Sequence, residues 1–351
     1  METLVTIERA IEIARQTPIS PTIESISITE SNNRILAENL HSKIDDPPFD
    51  NSAMDGWAVR FNAKHRTETG MTAAGDTPTS IGQGEAVRIM TGAPIPEGAD
   101  AIVMVESGLQ GEAHSNFIRR RGENLTKGTV ALQTGQLMTP AAISLAATMG
   151  HATIPVRCKP RIAVISTGDE LIPPGDELSE GQIYESNSHG LCALLGKIGC
   201  TPILHDTVED SVEGLRAALN SIDCDAILTS GGVSMGDLDC VRKLMEEEGD
   251  IHFWKVAMRP GGPPLFGTWN GTPLFGLPGN PVSSHVVFTV LVAPWISKSM
   301  GSDEANGSSM ANRVRVTMQD PLNGAPGKLC MRRISIRQEG DNLVASTSTR
   351  Q

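Results

Sequence analysis

The residues best suited by type and spacing to do chemistry lie in Ser230-Gly-Gly-Val-Ser-Met-Gly-Asp-Leu-Asp239. The short apolar run before them, 226–229, is bounded by glycines and predicts a buried strand of a parallel sheet. Glycines after such a strand let the backbone approach a ligand and turn N–H groups toward an anion. Asp237 and Asp239 then set negative charge beside a site suited to anions. A divalent cation held between carboxylates and a substrate phosphate reconciles the two. An ordinary strand-to-helix turn, with Asp237 or Asp239 capping the next helix, fits the same residues equally well.

The elements that would position this loop are legible from residue 161 onward. Apolar strands at 162–165, 202–208, 226–229, 251–258 and 274–276 alternate with helical patterns. Leu191, Leu194, Leu195 and Ile198 share one helical face; Val212, Leu215, Leu219 and Ile222 share another; a further helix begins at Pro281. This alternation predicts a doubly wound parallel sheet with helices on both faces and ligands at the carboxyl ends of its strands. At those ends stand Ser166-Thr-Gly-Asp-Glu170, the loop 230–239, Met258-Arg-Pro-Gly-Gly-Pro263 and Leu277-Pro-Gly-Asn-Pro281. One loop rich in Gly, Pro, hydroxyls and acids is weak; four on one edge predict a binding site.

The amino-terminal half reads differently. A capping Thr6 opens a helix with Ile7, Ala10, Ile11 and Ala14 on one face, stopped by Pro18 and Pro21. Asn33-Arg-Ile-Leu-Ala-Glu-Asn-Leu40 reads as a short helical turn. Residues 60–130 carry short alternating runs broken by Gly and Pro, the pattern of a small β-rich subdomain. Two loops there are rich in polar groups: Asp46-Pro-Pro-Phe-Asp-Asn-Ser-Ala-Met-Asp55, and Arg119-Arg-Arg-Gly-Glu-Asn124, whose cations beside a cleft would bind phosphate or pterin oxygens. Expected units are a scaffold of 1–50 and 131–160, an inserted β-rich subdomain of 51–130, an α/β domain of 161–300, and a small, shortened β-domain of 310–351.

A net charge of −12 argues against nucleic acid and acidic membrane surfaces as partners, and 3% aromatic residues against base stacking. The six cysteines contain no C-x-x-C pair and read as reduced thiols, hence a cytoplasmic protein. No signal-peptide pattern and no apolar run of membrane-spanning length is present.

Six ordered motifs resemble the molybdopterin molybdenumtransferase family, which includes MoeA and the E domain of gephyrin. They are Pro48-Phe-Asp-Asn-Ser-Ala-Met-Asp-Gly56, Thr91-Gly-Ala-Pro94, Arg120-Arg-Gly-Glu123, Ser166-Thr-Gly-Asp-Glu-Leu171, Ser230-Gly-Gly-Val-Ser234 and Gly276-Leu-Pro-Gly-Asn-Pro-Val282. The resemblance implies Mg²⁺-dependent insertion of molybdate into adenylated molybdopterin, with release of AMP. It implies a homodimer with active clefts between subunits, and a molybdopterin adenylyltransferase upstream.

By the same resemblance, Asp55, Thr91, Glu170, Asp210 and Asp239 are the catalytic set. Glu170, Asp237 and Asp239 are expected to hold Mg²⁺, while Asp55 and Thr91 orient molybdate or the attacking group. Ser166, Thr167, Gly168, Gly231, Gly232, Ser234, Arg259, Pro278, Gly279 and Asn280 are expected to hold the pterin nucleotide. The chain departs from the family at Gly262, where a lysine is usual, and at Asn124, where an acid is usual. A non-catalytic molybdopterin-binding or scaffolding paralogue, or a tungstate-using variant, is the alternative.

Overall fold

The computed structural model describes residues 1–233, 239–302 and 314–347. Seven strands make its largest sheet: β1 (Glu2–Val5), β2 (Arg161–Ser166), β3 (Thr201–Leu204), β4 (Ala226–Ser230), β5 (Asp250–Val256), β6 (Leu265–Trp269) and β7 (Thr272–Leu277). Their order is β1-β5-β6-β7-β4-β2-β3. Helices are α1 (Ile7–Ala14), α2 (Pro140–Thr148), α3 (Asn187–Lys197), α4 (Val212–Ser221), α5 (Cys240–Glu247), α6 (Pro281–Val287) and α7 (Ala293–Ser299).

Strand period builds two cores. Along β2, Ile162 and Val164 join one apolar cluster with α1, α3, α6 and α7. Ala163 and Ile165 join the other, with α4 and α5. The inner strands β2, β4, β6 and β7 are buried almost throughout because both their faces are covered.

The sheet is mixed, not wholly parallel. β6 runs antiparallel to both β5 and β7. The cause is a two-residue turn: Trp269 pairs with Thr272, and Asn270 and Gly271 between them take φ values of 49° and 82°. Those angles make the primed hairpin turn that Asn-Gly favours. Two antiparallel steps cancel, so β5 still ends on the same edge as β2, β4 and β7, but two strands away from β7.

Residues 1–14 also depart from expectation. Rather than joining the scaffold, β1 pairs in parallel with β5, Glu2 opposite Phe253. Behind it α1 buries Ile7, Ala10, Ile13 and Ala14 in the α/β core. The buried Trp295 indole donates to Ala14 O at 3.0 Å and fixes the helix there. The scaffold proper pairs Ile23–Ser27 with Thr153–Arg157 and Leu40–His41 with Val130–Leu132, beneath α2. Residues 33–40 form bridges to Leu137 and Val156, not a helical turn.

The β-rich subdomain is a five-stranded sheet in the order Thr67–Thr72, Glu85–Ile89, Gly56–Val59, Ala101–Met104, Ala113–His114. Near the carboxyl end, Asn342–Thr347 lies between Thr317–Met318 and Ile334–Glu339. Leu329–Cys330 pairs in parallel with Met258–Arg259 and so ties this small sheet to the α/β unit.

Candidate active site

A cleft of about 210 Å³ opens where β2, β4 and β7 end. Thr167 and Glu170 come from the loop after β2, Asp210 from the loop after β3, Ser230, Gly231, Gly232 and Asp239 from the loop after β4, and Gly279 from the loop after β7. A lip made by pairing Leu171–Ile172 with Ile183–Tyr184 covers one side. Three of the four strand-end loops picked out in the sequence thus meet at this cleft.

Charge is unbalanced in this cleft. Glu170, Glu185, Asp210 and Asp239 line it, and no Lys or Arg is among the described lining residues. Burial, then the charges of Asp169 and Glu170, hold the Asp210 carboxyl above the usual carboxylate range. Asp169 is itself tied down, accepting the Asp210 N–H at 3.0 Å. Asp239 occupies the N-cap position of α5 but makes no side-chain capping bond, so the helix-cap reading does not account for it. Thr167 is 5% exposed, and its hydroxyl stands beside the Asp210 carboxyl without a hydrogen bond of good geometry.

These donors fit a hard divalent cation. Among the described residues no three His, Cys, Asp or Glu converge into a ready-made metal cage. Mg²⁺ needs none, since it is commonly held by one or two carboxylates, water and substrate phosphate. The carboxyl oxygens of Glu170, Asp210 and Asp239 along one cleft suit that arrangement. Ser234 and Asp237 lie outside the described residues.

Several expected ligands have other work. The Gly231 N–H is donated to Leu277 O at 3.1 Å and that of Gly168 to Val208 O at 3.2 Å, so neither amide is turned to an anion. Their value is room: a Cβ on Gly168 would stand 2.7 Å from Glu170 Oε2, and one on Gly231 2.7 Å from Thr167 O. Ser166 is buried and donates to Glu185 Oε1 at 2.9 Å. Asn280 caps α6, accepting Ser283 N at 3.1 Å, and Pro278 O accepts the Ser284 hydroxyl.

Arg259 is not in the cleft. Because β6 separates β5 from β7, the loop after β5 is displaced along the edge. Gly262 and Pro263 line a second cavity, of about 570 Å³, with Lys255 and Lys328. Asp55 and Thr91 stand elsewhere again, in the β-rich subdomain. Asp55 Oδ1 accepts both the Thr91 N–H (2.7 Å) and its hydroxyl (2.9 Å), and these bonds hold the carboxyl below its usual range. Nearby, Arg120 pairs with Asp50 at 2.7 Å and Arg121 with Asp45 at 2.6 Å. Asn124 donates to Asp46 Oδ2 at 3.1 Å, where an acid would meet a second carboxylate.

The sequence reading missed Glu185, Ser186 and Asn187, all of which line the cleft. The signal was present: Glu-Ser-Asn-Ser ahead of an apolar helical pattern is a helix-start signature.

A mixed α/β sheet with a polar cleft at its carboxyl edge defines a small-molecule-binding α/β domain. Residues 163–298 match the family described as a probable molybdopterin binding domain. Residues 5–150 match the MoeA N-terminal region, domains I and II. A molybdopterin molybdenumtransferase of Haemophilus influenzae is 38% identical over 312 residues, 84% of this chain and 77% of its own length. Molybdopterin molybdenumtransferase 2 of Mycobacterium tuberculosis is 40% identical over 304 residues, 79% and 75% of the two chains. The crystal structure of a molybdopterin biosynthesis moeA protein from Pyrococcus horikoshii OT3 superposes with a TM-score of 0.81 at 28% identity, covering 99% of this chain and 90% of that one. The chain belongs to the molybdopterin molybdenumtransferase family, and it is an enzyme.

Proposed function

We propose that the chain inserts molybdate into adenylated molybdopterin, with Mg²⁺, and releases AMP. The observation that carries this is the cleft's composition: four acidic side chains line a glycine-rich, hydroxyl-bearing loop edge with no Lys or Arg among the described lining residues. A phosphate cannot enter such a place alone. Bound Mg²⁺ would neutralise the charge shared by the carboxylates and the phosphates. Glu170 and Asp239 would hold it, and its charge would favour the ionised form of the neighbouring Asp210. The Thr167 hydroxyl and the Gly232 amide would donate to phosphate oxygens. Catalysis is then positioning and charge compensation as water cleaves the phosphoanhydride to release AMP and the two dithiolene sulfurs displace oxygen from molybdate, which leaves as water.

Asp55 and Thr91 line a different part of the chain from Glu170, Asp210 and Asp239. That division supports a homodimer in which the β-rich subdomain of one subunit faces the cleft of the other. The Asp46–Asn124 bond gives Asn124 a local structural reason, which favours the enzyme over a paralogue that only binds. The test is AMP release from adenylated molybdopterin with molybdate and Mg²⁺ added or withheld. Release that needs both supports the transferase; tight binding without release would replace it with a binding protein.

A further inference from the structure

The run Glu185-Ser186-Asn187-Ser188 touches three strand ends in succession. Glu185, 4% exposed, accepts the Ser166 hydroxyl at the end of β2, as well as Ser188 N (2.8 Å) and the Ser188 hydroxyl. Asn187 Nδ2 donates to Ser230 Oγ at the end of β4 (2.8 Å) and to Gly279 O beyond β7 (2.7 Å). An amide NH₂ has two hydrogens, and both are used.

The place of this bridge matters. The β4–β7 ladder ends with Ser230 opposite Leu277 and the Gly231 N–H on Leu277 O. Past that point Gly279 and Gly231 meet main chain to main chain, with a Cβ on Gly279 falling 3.7 Å from Gly231 Cα. The Asn187 amide acts as one more rung after the backbone rungs stop.

We propose that Asn187 is a positioning residue that sets the spacing of the two loops facing the bound phosphates. The role rests on reading the cleft as a nucleotide-phosphate site. It works through Ser230 and Gly279, not by touching substrate. What it needs is two N–H donors. Aspartate has the same shape but would aim an oxygen at the Gly279 carbonyl oxygen.

Asn187→Asp, Asn187→Ala, Ser230→Ala and the Asn187→Ala/Ser230→Ala pair test it in the full chain. Amide hydrogen exchange of segments 230–233 and 278–284 reads loop spacing without ligand, and calorimetry with AMP reads its consequence. Asn187→Asp should stay folded yet exchange faster in both segments and bind AMP about tenfold more weakly, the scale of one lost hydrogen bond. Ser230→Ala should cost about threefold, and the double variant no more than Asn187→Ala alone, because the two side chains share one bond. Unchanged exchange in both segments, or losses that multiply in the double variant, overturn the proposal. If Asn187→Asp does not fold, the alanine variants decide. If wild type binds no AMP while exchange responds as stated, the phosphate reading fails and the positioning role stands.

Discussion

Gly231→Ala and Gly196→Ala are the same chemical change with opposite predicted signs. Gly231 takes φ +99°, where a side chain costs about 1–2 kcal/mol. Its new Cβ would lie 2.7 Å from the Thr167 carbonyl oxygen and 3.0 Å from the Thr167 hydroxyl, contacts that only a backbone shift relieves. Overpacking of this kind costs about 1–3 kcal/mol, so the total is about 2–5 kcal/mol. Gly196 is exposed in α3 with nothing within 4 Å of the new atom. Alanine there should stabilise by about 0.5–1 kcal/mol through helix propensity. Urea unfolding followed by tryptophan fluorescence suits the comparison, because Trp254, Trp269 and Trp295 are all buried in the α/β unit. A Gly231→Ala protein as stable as wild type would refute the close approach of the two loops. A destabilised Gly196→Ala protein would refute the propensity argument.

Three further outcomes follow from the same site. Asp210→Asn should raise metal-free stability, by less than about 1 kcal/mol because the site is partly solvated, while abolishing turnover; melting in chelator checks it. The sign is fixed by the raised folded pKa: Asp210 contributes stability fully below its ordinary value of 3.8 and loses it as pH rises through the folded value. Mg²⁺ affinity should climb over that same window, and a pH-independent affinity would count against any coupling between Asp210 and the bound ion. Glu185→Ala should cost about 3 kcal/mol, since three hydrogen-bond donors lose their acceptor. Burial alone would push Glu185 up, but the Ser188 and Ser166 bonds outweigh it and lower its carboxyl. Its contribution is therefore present above the ordinary glutamate range and fades as pH falls through the lower folded value, an acid dependence the variant should lack in urea titrations. Trp254→Phe removes the indole bond to Val233 O (3.1 Å) under the glycine loop; it should cost about 1 kcal/mol and weaken AMP binding in calorimetry.

The strand-end loops were legible because each carries its chemistry in a few adjacent residues. Thr167, Glu170 and Asp239 could be assigned to one edge from strand–helix alternation alone. Arg259 could not, because its place depends on β6, a strand hidden between two glycine-bearing turns. The Asn270-Gly271 pair was the visible clue, and reading it as a hairpin would have moved Arg259 away from the cleft. The sequence suggests Gly231 as an anion donor, whereas its amide is spent on Leu277 O, just as the Gly168 amide is spent on Val208 O. Which amide is spent depends on register, and register is a tertiary property. Asn187 was overlooked for a related reason: its partners are 43 and 92 residues away in sequence.

The pairing of β1 with β5 also sets an order of events during synthesis. Glu2 must wait for Phe253. At common translation rates that interval is roughly 12 to 50 s. Through all of it the apolar face of α1 (Ile7, Ala10, Ile13 and Ala14) has no permanent partner. Residues 15–160 meanwhile emerge as a large insertion between the first strand of the sheet and the second. Residues 2–14 are thus made well before the strand they pair with and are among the last to find their place, and the nascent chain carries this sticky segment until the sheet edge arrives to receive it.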